Sequence, residues 1–390
     1  MSVEQSPSRF RLVPMRPRDP AERGRTASNL ELFFDLVFVV AVSAASVQLH
    51  HQLTEGHVLD GVLHYAVVFF AIWWAWMNFT WFATSFATDD WLYRVLTIVQ
   101  MGGVLVLAAG IESAFRGDFT IAILAYVVMR VAMMVQWLRA SRGAGRARRA
   151  TLIYAGGIGV VQVLWLVQLA MPPQVATVTL LILIAAELAV PIIAERTGQT
   201  PWHPHHITER YGLFTLIVLG ESLLASANAI IEALHTGGDI GPLVGISVVT
   251  LVVTAGLWWI YFWPPHHTAI MGLRRSVFYG YGHYFLFAAA GAFSSGVETN
   301  IDVITGHSEL SATQASFALT IPVAIFVFGV WLLAMRAHGD RVVNTVVPVG
   351  AVLILADPLV PLPIVTTPLL LIAIVVVLVL RPPIDAAEGH

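Results

Sequence analysis

The chain has 390 residues, 57% of them hydrophobic and 12% charged, with a mean hydropathy of +0.76. Soluble globular domains carry about a quarter charged residues, so a soluble fold is excluded because too little polar surface exists to cover so much apolar side chain. Net charge is −3, lysine is absent and there is no cysteine, which argues against a nucleic-acid partner and removes disulfides, thiolate catalysis and thiolate metal sites.

The first 29 residues hold six arginines, several prolines and no apolar core. They are therefore no secretory signal peptide and read as a disordered cytoplasmic tail, residues 1–29. Apolar stretches near 20 residues, the length that crosses a hydrocarbon layer of about 30 Å, then recur along the chain. They predict helices over 30–52, 58–82, 93–114, 118–138, 150–171, 174–195, 205–234, 241–263, 275–299, 312–335, 341–359 and 363–380, followed by a tail over 381–390. The segment from Asp357-Pro358 to Pro363 carries three prolines and reads as a short turn or a kinked continuation. The expected fold class is an all-α integral membrane bundle of about twelve transmembrane helices.

Arginine placement sets the expected orientation, because short cytoplasmic loops retain positive charge. The N-terminal arginines, Arg94, the cluster Arg139, Arg142, Arg146, Arg148 and Arg149, then Arg196, Arg274, Arg275, Arg336, Arg341 and Arg381 all fall on one side of this topology, and Arg116 alone on the other. Both termini are thus expected in the cytoplasm. An internal repeat agrees with the helix count. Ala108-Ala109-Gly110-Ile111-Glu112-Ser113 is matched, small-small-Gly-aliphatic-Glu-hydroxyl, by Ser294-Ser295-Gly296-Val297-Glu298-Thr299 at an offset of 186 residues, and Trp73-Trp74-Ala75-Trp76 by Trp258-Trp259-Ile260-Tyr261 at 185. This divides the chain into halves 30–195 and 205–380 of six helices each. An even number of spans per half makes them parallel repeats about an axis along the membrane normal.

An ionisable side chain in hydrocarbon costs about 2.5–3.5 kcal/mol on insertion scales, so each one should meet a partner, a cavity or a path. Glu31 and Asp35 lie four apart on the first helix, with Ser43, Ser46 and His50 further along. Glu221 sits near the middle of the seventh helix, and Ala225, Asn228 and Glu232 continue at helical spacing. Arg130, Glu187 and His283 fall on the fourth, sixth and ninth helices. Two accounts stand side by side. Asp35 and Glu221 line a polar route for a cation or proton, or Arg130 neutralises Asp35, Glu187 or Glu221 in a buried pair that fixes packing. Glu31, Arg130, Asn228, Glu187, His283, Glu112 and Glu298 join Asp35 and Glu221 as candidates for that route. Plainer readings stand beside them: Glu112 and Glu298 as solvated helix ends rather than a gate, Glu31 as a helix cap and His283 as a hydrogen-bonded structural histidine rather than a proton relay. His203, His205 and His206 before the seventh helix, and His266 and His267 after the eighth, match no recognised zinc spacing, so neither metal nor cofactor is expected. Trp73, Trp74, Trp76, Trp81, Trp91, Trp258, Trp259 and Trp263 are expected as an interfacial aromatic belt.

Several blocks together carry a family resemblance. They are Glu31-Leu32-Phe33-Phe34-Asp35-Leu36-Val37-Phe38, the run Trp73–Trp81, Thr88-Asp89-Asp90 with Tyr93-Arg94, and Tyr126-Val127-Val128-Met129-Arg130. His205–Ala225 and Leu257-Trp258-Trp259-Ile260-Tyr261-Phe262 continue the series. Over residues 28–300 the chain resembles the bacterial low-temperature-requirement protein A family. That resemblance implies a multi-pass inner-membrane protein associated with growth in the cold, without an assigned reaction, and it singles out Glu31, Asp35, Arg94, Arg130, Glu209, Arg210, Gly220 and Glu221. The first helix is also similar to the Arg-x-x-x-Phe-Ser-Asp start of the endolysosomal potassium-channel family. Phe34 stands in place of the serine, Arg25 lies too far upstream, and the seventh helix lacks the motif.

The leading expectation is transport of a small solute or cation, with proton coupling open, in which Asp35 and Glu221 carry the ion and Arg130 neutralises them. A membrane-embedded enzyme acting on lipid is less favoured and would rest on His205, His206, His266 and His267. A sensor or scaffold would use the Arg139–Arg149 loop, and a cation channel built from six-helix repeats is the remaining alternative. The expected partners are the bilayer, an unidentified solute or cation and, as an open option, further copies of the chain.

Overall fold

A chain surrounded by hydrocarbon must satisfy its own backbone polar groups, which leaves helices as the available structure for long apolar stretches. The computed structural model describes residues 12–236, 240–360 and 365–384. Twelve α-helices lie among them: α1 (Asn29–Thr54), α2 (Val58–Phe86), α3 (Trp91–Phe115), α4 (Thr120–Ser141), α5 (Arg148–Gln168), α6 (Pro173–Thr197), α7 (Pro204–Thr236), α8 (Gly241–Phe262), α9 (Leu273–Thr305), α10 (Ala312–Val330), α11 (Val343–Ala356) and α12 (Thr366–Leu380). Among the described residues no strand occurs. By length and composition nine of these helices, α1–α8 and α10, are long and apolar enough to cross a membrane. Helices α11 and α12 are apolar but have only 14 and 15 residues, and the 33-residue α9 mixes its apolar side chains with Arg274, Arg275, Glu298 and Asp302.

The ends follow from local chemistry. Helix α9 runs past the expected residue 299 and stops at Gly306, which takes the left-handed conformation at φ 77°, while the His307 amide returns to the Asp302 carbonyl. Glycine adopts that backbone at no steric cost. Helix α10 starts with a capping box, Ser311 with Gln314, and widens into a π turn over Trp331–Met335. Asp357-Pro358 lies in a 3₁₀ turn that ends α11. Of the three prolines expected to break this region, Pro361 and Pro363 lie outside the described residues.

The chain forms two compact units. The first comprises Met1–Ala41 and Trp74–Arg210, the second Val42–Trp73 and Tyr211–His390, so the division falls within α1, α2 and α7 and is a different partition from the two sequence halves. In the first unit α3, α4, α5 and α6 pack each against the next. A Cβ on Gly110 would sit 2.7 Å from an Ile121 methyl of α4. Residues 12–28, expected to belong to a disordered tail, have no helix but make specific contacts in this unit. The Arg18 amide donates to the Ser85 carbonyl at 2.9 Å, the Arg25 guanidinium donates to the carbonyls of Thr84 and Ala83 at 2.7 and 2.8 Å, and Met15 is buried. Arg25 thereby caps the C-terminus of α2, where carbonyls are unpaired and the helix dipole is negative.

In the second unit α10 packs against α9 and α11, α11 against α12, and α12 returns to α8. Helices α9 and α10 approach closely, since a Cβ on Gly296 would lie 2.4 Å from the Ala318 carbonyl oxygen. The second half of α1 meets α9 through small residues. Ser46 Oγ donates to the Gly291 carbonyl at 2.9 Å, and Ser295 Oγ donates to the Ser46 carbonyl at 2.7 Å.

Candidate functional site

Buried charge in the first unit is gathered into two clusters of paired acids and arginines. Near the start of α1, Glu31 accepts from both the Ser28 amide and hydroxyl at 2.8 Å, which is the capping role expected of it. Its other oxygen lies 3.1 Å from Arg210 Nη1 and 3.2 Å from His206 Nε2. Arg210 also donates to Asp35 through Nε at 3.0 Å and Nη2 at 2.6 Å, and Trp76 Nε1 adds a third bond to Asp35 at 2.6 Å. Glu31 and Asp35 are four apart on α1, His206 and Arg210 four apart on α7. These are two helical faces with complementary charge at the same pitch.

The second cluster centres on Glu187 of α6. Its carboxylate accepts from Trp74 Nε1 and Arg130 Nη2 at 2.9 Å each, from Gln162 Nε2 at 2.8 Å and from Trp165 Nε1 at 3.3 Å. Arg130 also lies 5.9 Å over the Tyr126 ring, a cation–π distance. The guanidinium that neutralises Asp35 is therefore Arg210, whereas Arg130 belongs to Glu187. The fan of donors around each acid explains the difference, because a buried carboxylate needs several hydrogen bonds as well as one opposite charge.

The tryptophans divide by the same chemistry. Trp73, Trp74 and Trp76 are 1%, 0% and 0% exposed, which corrects their expected place in an interfacial belt; two of them spend their N–H groups on Glu187 and Asp35. Trp91, Trp258 and Trp259 are 43%, 42% and 42% exposed, as a belt requires.

The second unit holds acids of a different kind. Glu221, half-buried near the middle of α7, accepts from Ser43 Oγ at 2.6 Å, and among the described residues no arginine or histidine is in ion-pair range of it. Two turns along α1 from Ser43, His50 is flanked by carboxylates on both ring nitrogens: Nε2 is 2.7 Å from Asp302 and Nδ1 is 3.4 Å from Glu298. Glu298 and Asp302 are four apart on α9. This arrangement accommodates an imidazolium donating to two carboxylates, or a neutral ring with the proton on one of them. Glu298, expected to be a solvated helix end, is instead part of this group. Glu112, which holds the matching place in the similar sequence motif, is exposed and paired with Arg116 one turn on. Gly220, Asn228 and Glu232 are exposed.

A third group in the second unit has no charge. His283 Nδ1 faces the Tyr279 carbonyl at 2.8 Å and Nε2 faces the Tyr261 hydroxyl at 3.1 Å, while His266 Nε2 faces the Tyr261 carbonyl at 2.6 Å and Nδ1 the Tyr279 hydroxyl at 3.1 Å. Each carbonyl requires an N–H opposite it, which suits one neutral tautomer per ring and leaves both nitrogens of His283 with a hydrogen-bond partner. His266 lies in the turn between α8 and α9. Burial, with the like charges of His267 and His338 adding to it, pushes its pKa down to about 4.

The remaining sequence candidates are peripheral. Arg94 makes an exposed bidentate pair with Asp89, Glu209 is half-buried, and His205 is exposed. Among the described residues no three His, Asp or Glu side chains gather as a metal-holding group.

A family model described as bacterial low temperature requirement A protein (LtrA) matches residues 26–380, nearly the whole chain. The chain belongs to the LtrA family. An uncharacterized protein of Rhizobium meliloti (strain 1021) is 30% identical over 246 residues, 60% of this chain, and the chain spans 58% of that relative's length. The LtrA match extends beyond the blocks legible around residues 28–300 and takes in α10–α12. It also contains all four groups described above.

Sequence reasoning singled out most of their members individually, yet it placed Trp74 and Trp76 in a belt rather than on Glu187 and Asp35, and it missed Asp302 as the partner of His50, Arg210 as that of Asp35 and the pairing of His206 with Glu31. The signal was present as matched four-residue spacings, Glu31/Asp35 against His206/Arg210 and Glu298/Asp302 against His50.

Proposed function

We propose that this LtrA protein moves protons or a small cation across the membrane, with Glu221 as the carrying group. The observation that supports this most directly is the contrast between the two units. Asp35, Glu31 and Glu187 are bound by arginine and by several further donors, and moving any of them would strand a charge. Glu221 is held by one hydroxyl and has no cation beside it, so in hydrocarbon it must carry a proton or take up a cation from solution. Ser43 can both donate to Glu221 and accept from it. His50, about 10.5 Å further along the same face of α1, offers a second proton station with Glu298 and Asp302. Asp35 and Arg130, first considered as route residues, serve in this scheme as structural ion pairs.

The matched motifs around Gly110 and Gly296 favour two parallel six-helix halves, and the one-sided arginines favour cytoplasmic termini in the bacterial inner membrane. A contribution to growth in the cold would follow the family's description. The Arg139–Arg149 loop keeps a sensor or scaffold role as the second account.

The test is proton and monovalent-cation flux in liposomes containing the purified protein, compared with Glu221→Gln. The expected result is gradient-driven flux in the wild type and loss of at least tenfold in the variant at unchanged thermal stability. Full flux through Glu221→Gln, or no wild-type flux above empty liposomes under any gradient, would discard the proposal.

A further inference from the structure

Besides these buried groups, the first unit contains a polar cavity of about 570 Å³ at the ends of its helices, within the size range of small-ligand sites. One wall is the N-terminal segment with Arg18, Arg25 and Ser28. The other is formed by the starts of α1 and α3, with Glu31, Tyr93 and Arg94. We propose that this cavity binds a phosphate-bearing anion, gripped by Arg18 and Arg94, faced by the fixed charge of Arg25, and hydrogen-bonded by the Tyr93 hydroxyl.

Four observations support the assignment. Tyr93 lines the cavity and is 4% exposed, and among the described residues its hydroxyl has no hydrogen-bond partner, a penalty for a buried polar group that a ligand oxygen would remove. Arg18 and Arg94 are held only by the partly exposed carboxylates of Glu22 and Asp89. Such solvent-exposed pairs contribute little, so both guanidinium forks can exchange onto a better acceptor, and a phosphoryl group offers bidentate oxygens to each. Arg25 cannot turn away, because two backbone carbonyls hold it, and it stays as a positive charge behind the cavity. Helices α1 and α3 both begin here, adding the positive ends of their dipoles. Two acids stand in the wall: Glu31 is already committed to Ser28, His206 and Arg210, and Asp89 is the exposed partner that Arg94 would leave for the anion.

Burial pushes Arg25 down to about 10, with the like charge of Arg18 acting in the same direction, so this cation lacks full compensation and an anion in the cavity would supply it. Three guanidinium groups around one space suit the several oxygens of a phosphoryl group better than the two of a carboxylate. The source is either a soluble phosphate or the headgroup of an anionic lipid, and Phe33, which lines the cavity and is 54% exposed, provides an apolar shoulder for the latter.

The assignment is independent of transport. Its test uses the full chain in phosphatidylcholine nanodiscs and follows tryptic cleavage after Arg23, an exposed residue of the N-terminal wall. Slower cleavage on adding inorganic phosphate, beyond that given by sodium chloride at equal ionic strength, would support the site with a soluble ligand. Slower cleavage only when phosphatidylglycerol is built into the disc would support it with a lipid headgroup. Tyr93→Phe, which deletes the unpaired hydroxyl without altering the ring, and Arg94→Gln should each weaken the protective effect about tenfold, the loss of one charge-assisted or buried hydrogen bond. No protection from either source, or protection unchanged in both variants, would overturn the proposal.

Discussion

Arg210→Gln is the most informative single change, because it separates a structural ion pair from a transport residue. The guanidinium serves two carboxylates, Asp35 through two hydrogen bonds and Glu31 through Nη1, and Arg210, Asp35 and Glu31 are 0%, 0% and 2% exposed. Glutamine leaves two acids with one indole, one serine and one histidine between them. Removing one partner of a buried pair costs about 3–5 kcal/mol, a shift of roughly two to three and a half decades in the folding equilibrium. Asp35→Asn should cost less, about 1–3 kcal/mol, since Arg210 keeps Glu31 and only charge-assisted bonds weaken. In the double variant the stranded charge on residue 35 is gone, so the two effects should fall short of additivity by about 1–3 kcal/mol. The assay is the unfolding midpoint of detergent-purified protein titrated with sodium dodecyl sulfate, read by tryptophan fluorescence. An Arg210→Gln midpoint equal to the wild type, or an additive cycle, would refute the structural assignment and return Asp35 to the route.

Two further outcomes follow from the second unit. Gly296→Ala should destabilise by about 1–3 kcal/mol, the usual cost of overpacking, because its Cβ would meet a backbone oxygen of α10. Gly110→Ala should cost less, because its two nearest obstacles are Ile121 side-chain atoms at 2.7 and 2.9 Å, with the Ala122 backbone nitrogen at 3.2 Å, whereas all three at Gly296 are backbone atoms at 2.4–2.7 Å; a larger thermal shift for Gly110→Ala would contradict the packing described. At His266 the folded pKa lies near 4, below the ordinary 6.5, so the unfolded chain takes up a proton that the native state refuses. The associated stability is fully present above about pH 6.5 and declines as pH falls toward 4. His266→Phe should flatten that decline in melting temperature between pH 7 and pH 5, and an unchanged slope would exclude His266 as its source.

The helices were legible because hydrocarbon permits little else: a run of 20 apolar residues with rare charges leaves its backbone one solution. Partners were not legible, since sequence shows that Asp35 is expensive and leaves open which arginine relieves it. Both Arg130 and Arg210 qualified by composition, and only the pitch of His206 and Arg210 against Glu31 and Asp35 distinguishes them. The tryptophans misled for a related reason. An indole at a helix end suits the interface, but its N–H suits a buried carboxylate equally well, and Trp74 and Trp76 took the second option. Glu298 resembled Glu112 in motif and differs in fate, because His50 faces one and Arg116, one turn further along the same stretch, answers the other.

The separation of Asp35 from Arg210 along the chain, 175 residues, also bears on how the protein enters the membrane. At about 5–20 residues per second, roughly 10–35 s pass between synthesis of the acid and synthesis of its base. During that interval α1 would pay the full penalty for Asp35 if it moved into hydrocarbon alone, so the first helix should wait at the translocon or the headgroup layer until α7 emerges. Arg130 waits a shorter time for Glu187, 57 residues on. Truncation of the nascent chain before residue 210 should therefore leave α1 poorly inserted while α3 and α5 are already in place.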